Sequence, residues 1–137
     1  MPDNVFIDSN IIIYAYSVDE AEKQAIVKGI LNAHDVICIS TQTINEFVNV
    51  TMRKKMLDSD SISAVVEELF SILSVKMIDQ NIIESAIIIA KNQRYSYFDS
   101  LMLASALASD CSVLYSEDMH HGHLIDGKLK IINPFHT

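Results

Sequence analysis

Short, uninterrupted apolar runs alternate along this chain with longer segments whose apolar residues recur at helical spacing. The runs at residues 5–7, 36–39 and 113–115 have the length and composition of strands that are buried on both faces. Consecutive parallel strands need a helical crossover between them, and the longer segments supply it. The pattern therefore predicts an α/β fold, a three-layer α/β/α sandwich with a central parallel sheet.

The chain has 137 residues, half of them hydrophobic. This length suits one domain with its own core, so we expect a single domain over residues 1–137. The longest purely apolar stretch, residues 11–16, is far too short to cross a membrane. The first residues lack the basic segment of a signal peptide, and we therefore expect a cytoplasmic protein.

Charge and cysteine content restrict the function further. Ten basic against eighteen acidic residues give a formal net charge of −8, which argues against non-specific binding to nucleic acid. Cys38 and Cys111 stand among apolar residues, so we expect two buried thiols without a disulfide. No Cys-x-x-Cys spacing occurs, which makes a thiolate zinc site a poor candidate.

Four acidic residues fall where a parallel sheet places its binding sites. Asp8 ends the first predicted strand, and Asp118 follows the strand at residues 113–115. Glu46 lies one or two turns into the helix after the second strand, and Asp99 opens a later helix. Because ligands bind beyond the carboxyl ends of parallel strands, we expect the four side chains to meet there.

Each acid also has a purely structural interpretation. Asp8 fits an Asx turn, and Asp118 fits the cap of a short turn. The other two acids fit capping boxes, in the pairs Thr43/Glu46 and Ser96/Asp99. The sequence by itself leaves these interpretations open.

If the four acids do converge, their mutual repulsion and burial disfavour the charged state. A divalent cation removes that cost, and an all-oxygen ligand set suits Mg²⁺ or Mn²⁺ better than zinc. The chemistry that such clusters serve is phosphodiester hydrolysis, by in-line attack of a water activated by the metal.

Four segments in this order form a recognisable pattern. They are residues 6–10 (FIDSN), Glu46, residues 97–101 (YFDSL) and residues 114–118 (LYSED), followed by a closing INPF at 132–135. Over essentially the whole chain, this pattern resembles the PIN domain family, and within it the VapC-type ribonuclease toxins of toxin–antitoxin pairs.

The resemblance implies roles for individual residues. It implies that Asp8, Asp99 and Asp118 bind the metal and that Glu46 completes the cluster. It assigns supporting polar roles to Asn10 and Ser116. It also implies an Mg²⁺- or Mn²⁺-dependent endoribonuclease with an RNA substrate, an antitoxin partner and a homodimeric assembly.

An acidic protein that binds RNA needs local basic groups. The candidates for phosphate contacts follow the Glu46 helix or precede Asp99, and they are Arg53, Lys54, Lys55, Lys91 and Arg94. Basic residues at helix carboxyl ends also complement the helix dipole, which is the structural alternative for all five.

Two other functions remain open at this stage. One is a catalytically silent PIN-like scaffold that binds RNA or a partner. The other is a phosphoryl-transfer α/β domain, although Asn10 stands where the phosphatase signature needs a second aspartate.

Two further features get structural predictions. For His120, His121 and His123 we predict a solvated loop rather than a metal site. For Glu117 we predict a side chain that faces solvent.

Overall fold

A computed structural model describes residues 4–136, which form six strands and six helices. In chain order these are β1 (Asn4–Ile7), α1 (Ser9–Ala15), α2 (Ala21–Ala33), β2 (Ile37–Ser40), α3 (Thr41–Arg53), α4 (Ser59–Ile72), β3 (Ser74–Lys76), α5 (Gln80–Gln93), α6 (Tyr97–Ala108), β4 (Cys111–Tyr115), β5 (Leu124–Ile125) and β6 (Leu129–Ile132).

The strands form one sheet in the order β3-β2-β1-β4-β6-β5. Strand β1 lies at the centre and pairs in parallel with β2 and β4. The predicted parallel sheet is confirmed except at one edge, where β5 runs antiparallel to β6. That strand has two residues, too few for an apolar run to be seen in the sequence. The connection between β5 and β6 contains Asp126 and Gly127, both with positive φ, the backbone region that tight turns between antiparallel strands use.

Helices cover both faces of the sheet, which confirms the three-layer sandwich. Successive residues of β1 point to opposite faces. Phe6 packs into one core with residues of α5 and α6, including Ala86 and Leu103. Val5 and Ile7 pack into the other core, among residues of α1 to α4. Because β1 is packed on both faces, its position in the sheet is fixed, and so is the position of Asp8, which follows it directly.

The two cysteines are buried and free, as the sequence predicts. Both belong to the core that contains Phe6. Across residues 4–136, no helix combines the length and the apolar character needed to cross a membrane.

The first residues of α3 and α6 determine the positions of Glu46 and Asp99 in these helices. Helix α3 begins directly after β2 without a loop, and Ser40 forms its capping box with Thr43. The alternative that pairs Thr43 with Glu46 is therefore wrong, because the helix has already begun two residues before Thr43. The Ser96 side chain does cap α6, where it accepts from the Asp99 backbone N–H at 3.2 Å.

Candidate active site

Asp8 is the innermost of the four acids, with 5% of its surface exposed. It follows β1 directly and serves as the N-cap of α1, so its backbone is fixed on both sides. Its Oδ1 accepts from the Ser9 backbone N–H at 2.7 Å. Its Oδ2 accepts from the Ser116 hydroxyl at 2.8 Å. The carboxylate is thus oriented jointly by its own strand and by the segment that follows β4.

Glu46 reaches Asp8 through a serine. It lies in the second turn of α3, and its Oε1 accepts from the Ser9 hydroxyl at 2.8 Å. The same hydroxyl lies 3.4 Å from Oδ1 of Asp8, so it bridges two carboxylates. Gln42, one turn earlier, donates to Oε2 of Glu46 at 3.3 Å. The sequence does not reveal this role of Ser9, because the contact joins residues 37 positions apart.

Asp118 is the exposed member of the group and is held by Asn10. The Asn10 side-chain amide donates to Oδ2 of Asp118 at 3.0 Å. Its carbonyl oxygen accepts from the Glu117 backbone N–H at 3.4 Å. The Asp118 backbone N–H in turn donates to the Ser116 hydroxyl at 3.3 Å. Asn10 and Ser116, the two predicted supporting residues, therefore both contact acids of the site.

Burial raises the pKa of Asp8 from 3.8 to about 6. The hydrogen bonds from Ser116 and Ser9 oppose this rise, whereas repulsion from Glu46 and Asp99 adds to it. The folded protein therefore holds Asp8 in an environment that disfavours its negative charge.

Asp99 lies in the first turn of α6 and is half-buried. Burial raises its pKa, the hydrogen bond with Ser96 lowers it, and repulsion from Asp118 and Glu46 raises it further. Asp99 is therefore close enough to interact electrostatically with the other acids. We refer to Asp8, Glu46, Asp99 and Asp118 together as the acidic cluster.

Within residues 4–136, no basic side chain forms a salt bridge with the acidic cluster. The one salt bridge in this part of the chain joins Lys23 to Glu117, outside the cluster. A set of carboxylates without such compensation, gathered around a buried aspartate, is an environment that attracts cations.

The donor chemistry of the acidic cluster fits a hard divalent cation, because its ligand atoms are all oxygen. The carboxylates of the acidic cluster, however, lie farther apart than the ligands of a metal site do when the ion is bound. Within the described part of the chain, no three His, Cys, Asp or Glu side chains are close enough to hold one ion together. Ligation by three carboxylates therefore requires side-chain rotation, for which the exposed Asp118 has the most freedom.

Three of the five basic candidates lie beside the acidic cluster. A groove of about 720 Å³ is lined by Asn10 and Asp118 and also by Arg53, Lys54 and Lys55. Asp19 and Glu20 line it as well, so the positive charge is confined to one side of the groove, which we call the basic groove after that side. The three basic residues come from the carboxyl end of α3, the helix that also carries Glu46.

The other two candidates, Lys91 and Arg94, do not line the basic groove. Both are exposed at the carboxyl end of α5, and Arg94 is the left-handed C-cap of that helix. Their structural interpretation, which is to complement the helix dipole, accounts for their position.

Glu117 is only partly exposed and is paired with other side chains, which corrects the expectation that it faces solvent. Its carboxylate accepts from Lys23 Nζ and from the Tyr14 hydroxyl, each at 2.6 Å. Burial raises its pKa, but the hydrogen bonds from Lys23 and Tyr14 more than offset that, and the net pKa is lowered. The contact spans 94 positions to Lys23, and no local pattern signals it.

The histidine loop is only partly solvated. His120 and His121 are exposed as predicted, whereas His123 is half-buried and its Nδ1 lies 2.8 Å from the Tyr95 hydroxyl. His121 stacks on His136 with ring centroids 4.0 Å apart.

The protein is thus an α/β sandwich domain with a candidate cation site at one edge of its sheet. Two of the acids of this site, Asp8 and Asp118, lie beyond the carboxyl ends of β1 and β4. The sequence model of the PIN domain family matches residues 5–124. The chain therefore belongs to the PIN domain family, and the resemblance seen in the sequence is confirmed.

Solved structures show the same fold at low identity. A toxin–antitoxin complex from Klebsiella pneumoniae matches with a TM-score of 0.71 and 19% identity, over 97% of this chain and 99% of that chain. VapBC2 from Rickettsia felis, bound to a DNA fragment from its promoter, matches with a TM-score of 0.68 and 13% identity, over 95% and 99%. VapC20 from Mycobacterium tuberculosis, a toxin that cleaves the sarcin-ricin loop, matches with a TM-score of 0.66 and 16% identity, over 80% of this chain and 86% of that chain. No curated protein matches the chain by sequence.

Proposed function

We propose that this protein is a divalent-metal-dependent endoribonuclease that hydrolyses RNA phosphodiester bonds, and that it is the toxin of a toxin–antitoxin pair. The observation that carries the proposal is the environment of Asp8. This buried carboxylate at the end of the central strand is held by Ser116 and Ser9 and is repelled by Glu46 and Asp99. Among residues 4–136 it has no salt bridge to a basic side chain.

The acidic cluster would hold the metal, which is Mg²⁺ or Mn²⁺ in this proposal. Asp8, Asp99 and Asp118 supply carboxylate ligands, and Glu46 adds the fourth. A bound divalent cation lowers the pKa of a water molecule and stabilises the negative charge that develops on the phosphate.

The other polar residues orient these ligands. The Ser116 hydroxyl fixes Oδ2 of Asp8, and the Ser9 hydroxyl fixes Glu46 relative to Asp8. Asn10, in the first turn of α1, holds the Asp118 carboxylate by a hydrogen bond. Preorganisation of this kind reduces the rearrangement needed when substrate and metal arrive.

The basic groove offers a path for the RNA backbone. Arg53, Lys54 and Lys55 present positive charge next to Asn10 and Asp118 on an otherwise acidic protein. Phosphate contacts of this kind position a strand without reading its sequence. They would lead the strand to the acidic cluster.

An antitoxin partner and a homodimer complete the proposal. The structural similarity to toxin–antitoxin complexes from Klebsiella pneumoniae and Rickettsia felis supports the antitoxin. The homodimer rests on the family resemblance, and a cytoplasmic location stays an expectation from the sequence. We extend the proposed domain over residues 1–137.

The test is cleavage of total cellular RNA by the purified protein with Mn²⁺, followed by end-mapping of the products. Asp8→Asn is the inactive comparison, because it keeps the side-chain shape and removes one ligand charge. Asp35→Asn is the matched control, since Asp35 is exposed and lies before β2, outside the site. Loss of cleavage in Asp8→Asn alone supports the proposal, and equal cleavage by all three proteins contradicts it.

One observation favours the silent scaffold as an alternative. Within residues 4–136 the carboxylates are not closed around a common point, and a protein that binds RNA or a partner without cutting would not need them to be. Mn²⁺ titration combined with the cleavage assay separates the two, because the absence of both thermal stabilisation by Mn²⁺ and RNA cleavage supports the scaffold.

A further inference from the structure

A lysine, a glutamate and two aromatic rings form a compact cluster beside the acidic cluster. Lys23 Nζ lies 2.6 Å from Oε2 of Glu117 and 3.2 Å from the Tyr14 hydroxyl. The same ammonium lies 4.7 Å from the centre of the Tyr14 ring and 5.1 Å from that of Phe135. The two rings meet edge to face with their centroids 5.2 Å apart. We call these four residues the Lys23 cluster.

The Lys23 cluster joins four separate parts of the chain. Tyr14 lies in α1 and Lys23 in α2, Glu117 follows β4, and Phe135 follows β6. The Lys23 and Glu117 side chains retain only 32% and 25% of their exposure, so solvent screens the pair less than a fully exposed one. Hydrogen bonds with Tyr14 on one side and with Glu117 on the other fix the ammonium in one place.

Glu117 connects this cluster to the acidic site. It stands between Ser116, which donates to Asp8, and Asp118, which accepts from Asn10. Asn10 and Tyr14 are four residues apart on α1, and therefore lie on the same face of that helix. Residues 116–118 are thus attached to α1 at two points, by Asn10 and by Tyr14, and to α2 by Lys23.

We propose that Lys23 and Glu117 are positioning residues for the metal site, because their ion pair ties the 116–118 segment to α2, beside α1, and so keeps Ser116 on Asp8 and Asp118 on Asn10. The inference rests on the proposed function, since it assigns a task in forming the acidic cation site. Neither side chain touches metal or substrate in this role. The pair acts through the backbone between Ser116 and Asp118.

The test measures Mn²⁺ affinity by isothermal titration calorimetry on the metal-free protein, with Lys23→Met and Glu117→Gln as variants. Loss of a group that orients metal ligands weakens metal binding by about 10-fold or more. We expect that loss in each single variant. Because each removes the same interaction, the double variant should bind no more weakly than either.

Two control variants make the outcome specific. Lys23→Arg keeps the cation and its hydrogen bonds and should bind Mn²⁺ within about two-fold of the wild type. Lys28→Met removes a lysine from the exposed part of the same helix and should change nothing. Cleavage by Lys23→Met should recover when the Mn²⁺ concentration is raised, as expected for weakened binding of the metal.

The possible results separate this inference from the proposed function. Wild-type protein that binds no Mn²⁺ overturns both. Wild-type protein that binds Mn²⁺ and cleaves RNA, with unchanged affinity in Lys23→Met and Glu117→Gln, overturns the positioning role alone. Lower thermal stability of these variants without a change in Mn²⁺ affinity would show that the pair is only structural, and would likewise overturn it.

Discussion

The Ser116 hydroxyl donates to Oδ2 of Asp8 at 2.8 Å although the two residues lie 108 positions apart. The sheet explains the contact, since Ile7 of β1 is paired with Tyr115 of β4. The residue after each strand therefore emerges at the same edge. Because Ser116 is fully buried, its hydroxyl has little freedom to turn elsewhere. Parallel pairing thus turns two distant sequence positions into one fixed feature of the site.

Loss of this hydroxyl should weaken metal-dependent cleavage. We expect Ser116→Ala to reduce cleavage by about 10- to 100-fold, since it removes a partner that orients a metal ligand. The hydrogen bond also lowers the pKa of Asp8, so its removal should raise that pKa further. Cleavage rates with Mn²⁺ and a carboxyl ¹³C NMR titration of Asp8 measure the two effects.

Ser112→Ala is the matched control for that variant. The Ser112 hydroxyl is buried and has no hydrogen-bond partner among the described residues. Its removal should leave cleavage and the Asp8 titration unchanged. Equal cleavage by Ser116→Ala and wild type would mean that the hydrogen bond to Asp8 plays no part in the activity.

The metal-free protein should lose stability between pH 4 and pH 7. Burial and neighbouring acids raise the pKa of Asp8 to about 6 in the folded state, against 3.8 ordinarily. The folded state therefore binds this proton more tightly than the unfolded state. The resulting stabilisation is complete below about pH 4 and is lost as pH rises through about 6.

The loss should amount to about 3 kcal/mol, since each pKa unit corresponds to about 1.4 kcal/mol. Denaturant unfolding in EDTA at several pH values measures it. In Asp8→Asn this component should be absent, so the difference between the two proteins isolates the aspartate. Parallel stability curves for the two proteins would show that Asp8 does not titrate with a raised pKa.

Much of this architecture is visible in the sequence for a physical reason. Strands buried on both faces are continuous apolar runs, and helices between them show helical periodicity, so local composition reports the layers. The position of an acid relative to a strand end is likewise local information. That is why the neighbourhoods of Asp8 and Asp118 can be predicted from the sequence.

The features that escape prediction depend on contacts between distant residues. The Glu117 side chain is held by Lys23 and Tyr14, which are 94 and 103 positions away. Helix α1 is not predicted because residues 11–16 are apolar without interruption and show no period. The true cap of α3 is missed because Ser40 belongs to β2 and also starts the helix.

Neutralising the basic groove should weaken RNA binding mainly at low salt. We expect Arg53→Gln/Lys54→Gln to bind RNA less tightly, with a shallower dependence of log affinity on log salt concentration. On a single strand, the slope should change by about 0.7 for each phosphate that the variant no longer neutralises. Fluorescence anisotropy at several salt concentrations, with EDTA to prevent cleavage, measures it.

Lys128→Gln/Lys130→Gln serves as the charge-matched control for the groove. Both residues are exposed near the β5–β6 edge and neither lines the groove. This control should retain wild-type affinity and salt dependence. If both double variants lose affinity equally, RNA affinity depends on the net charge of the protein and not on the basic groove.

Removing one acid should stabilise the metal-free protein while it impairs cleavage. Glu46→Gln removes one repelling charge, and its amide oxygen can still accept from the Ser9 hydroxyl. We expect the free energy of unfolding to rise by about 0.5–2 kcal/mol at about pH 8, the range typical of single stabilising substitutions. Thermal and denaturant unfolding in EDTA measure the gain. A loss of stability would show that Glu46 contributes packing or hydrogen bonds that outweigh its repulsion.

The claim that four separated acids form one cation site is tested most directly by paramagnetic broadening from Mn²⁺ in amide NMR spectra. Substoichiometric Mn²⁺ should broaden the resonances of residues 8, 46, 99 and 118 together. It should leave those signals sharp in Asp8→Asn. Broadening centred on His120, His121 and His123, or none near Asp8, would contradict the account.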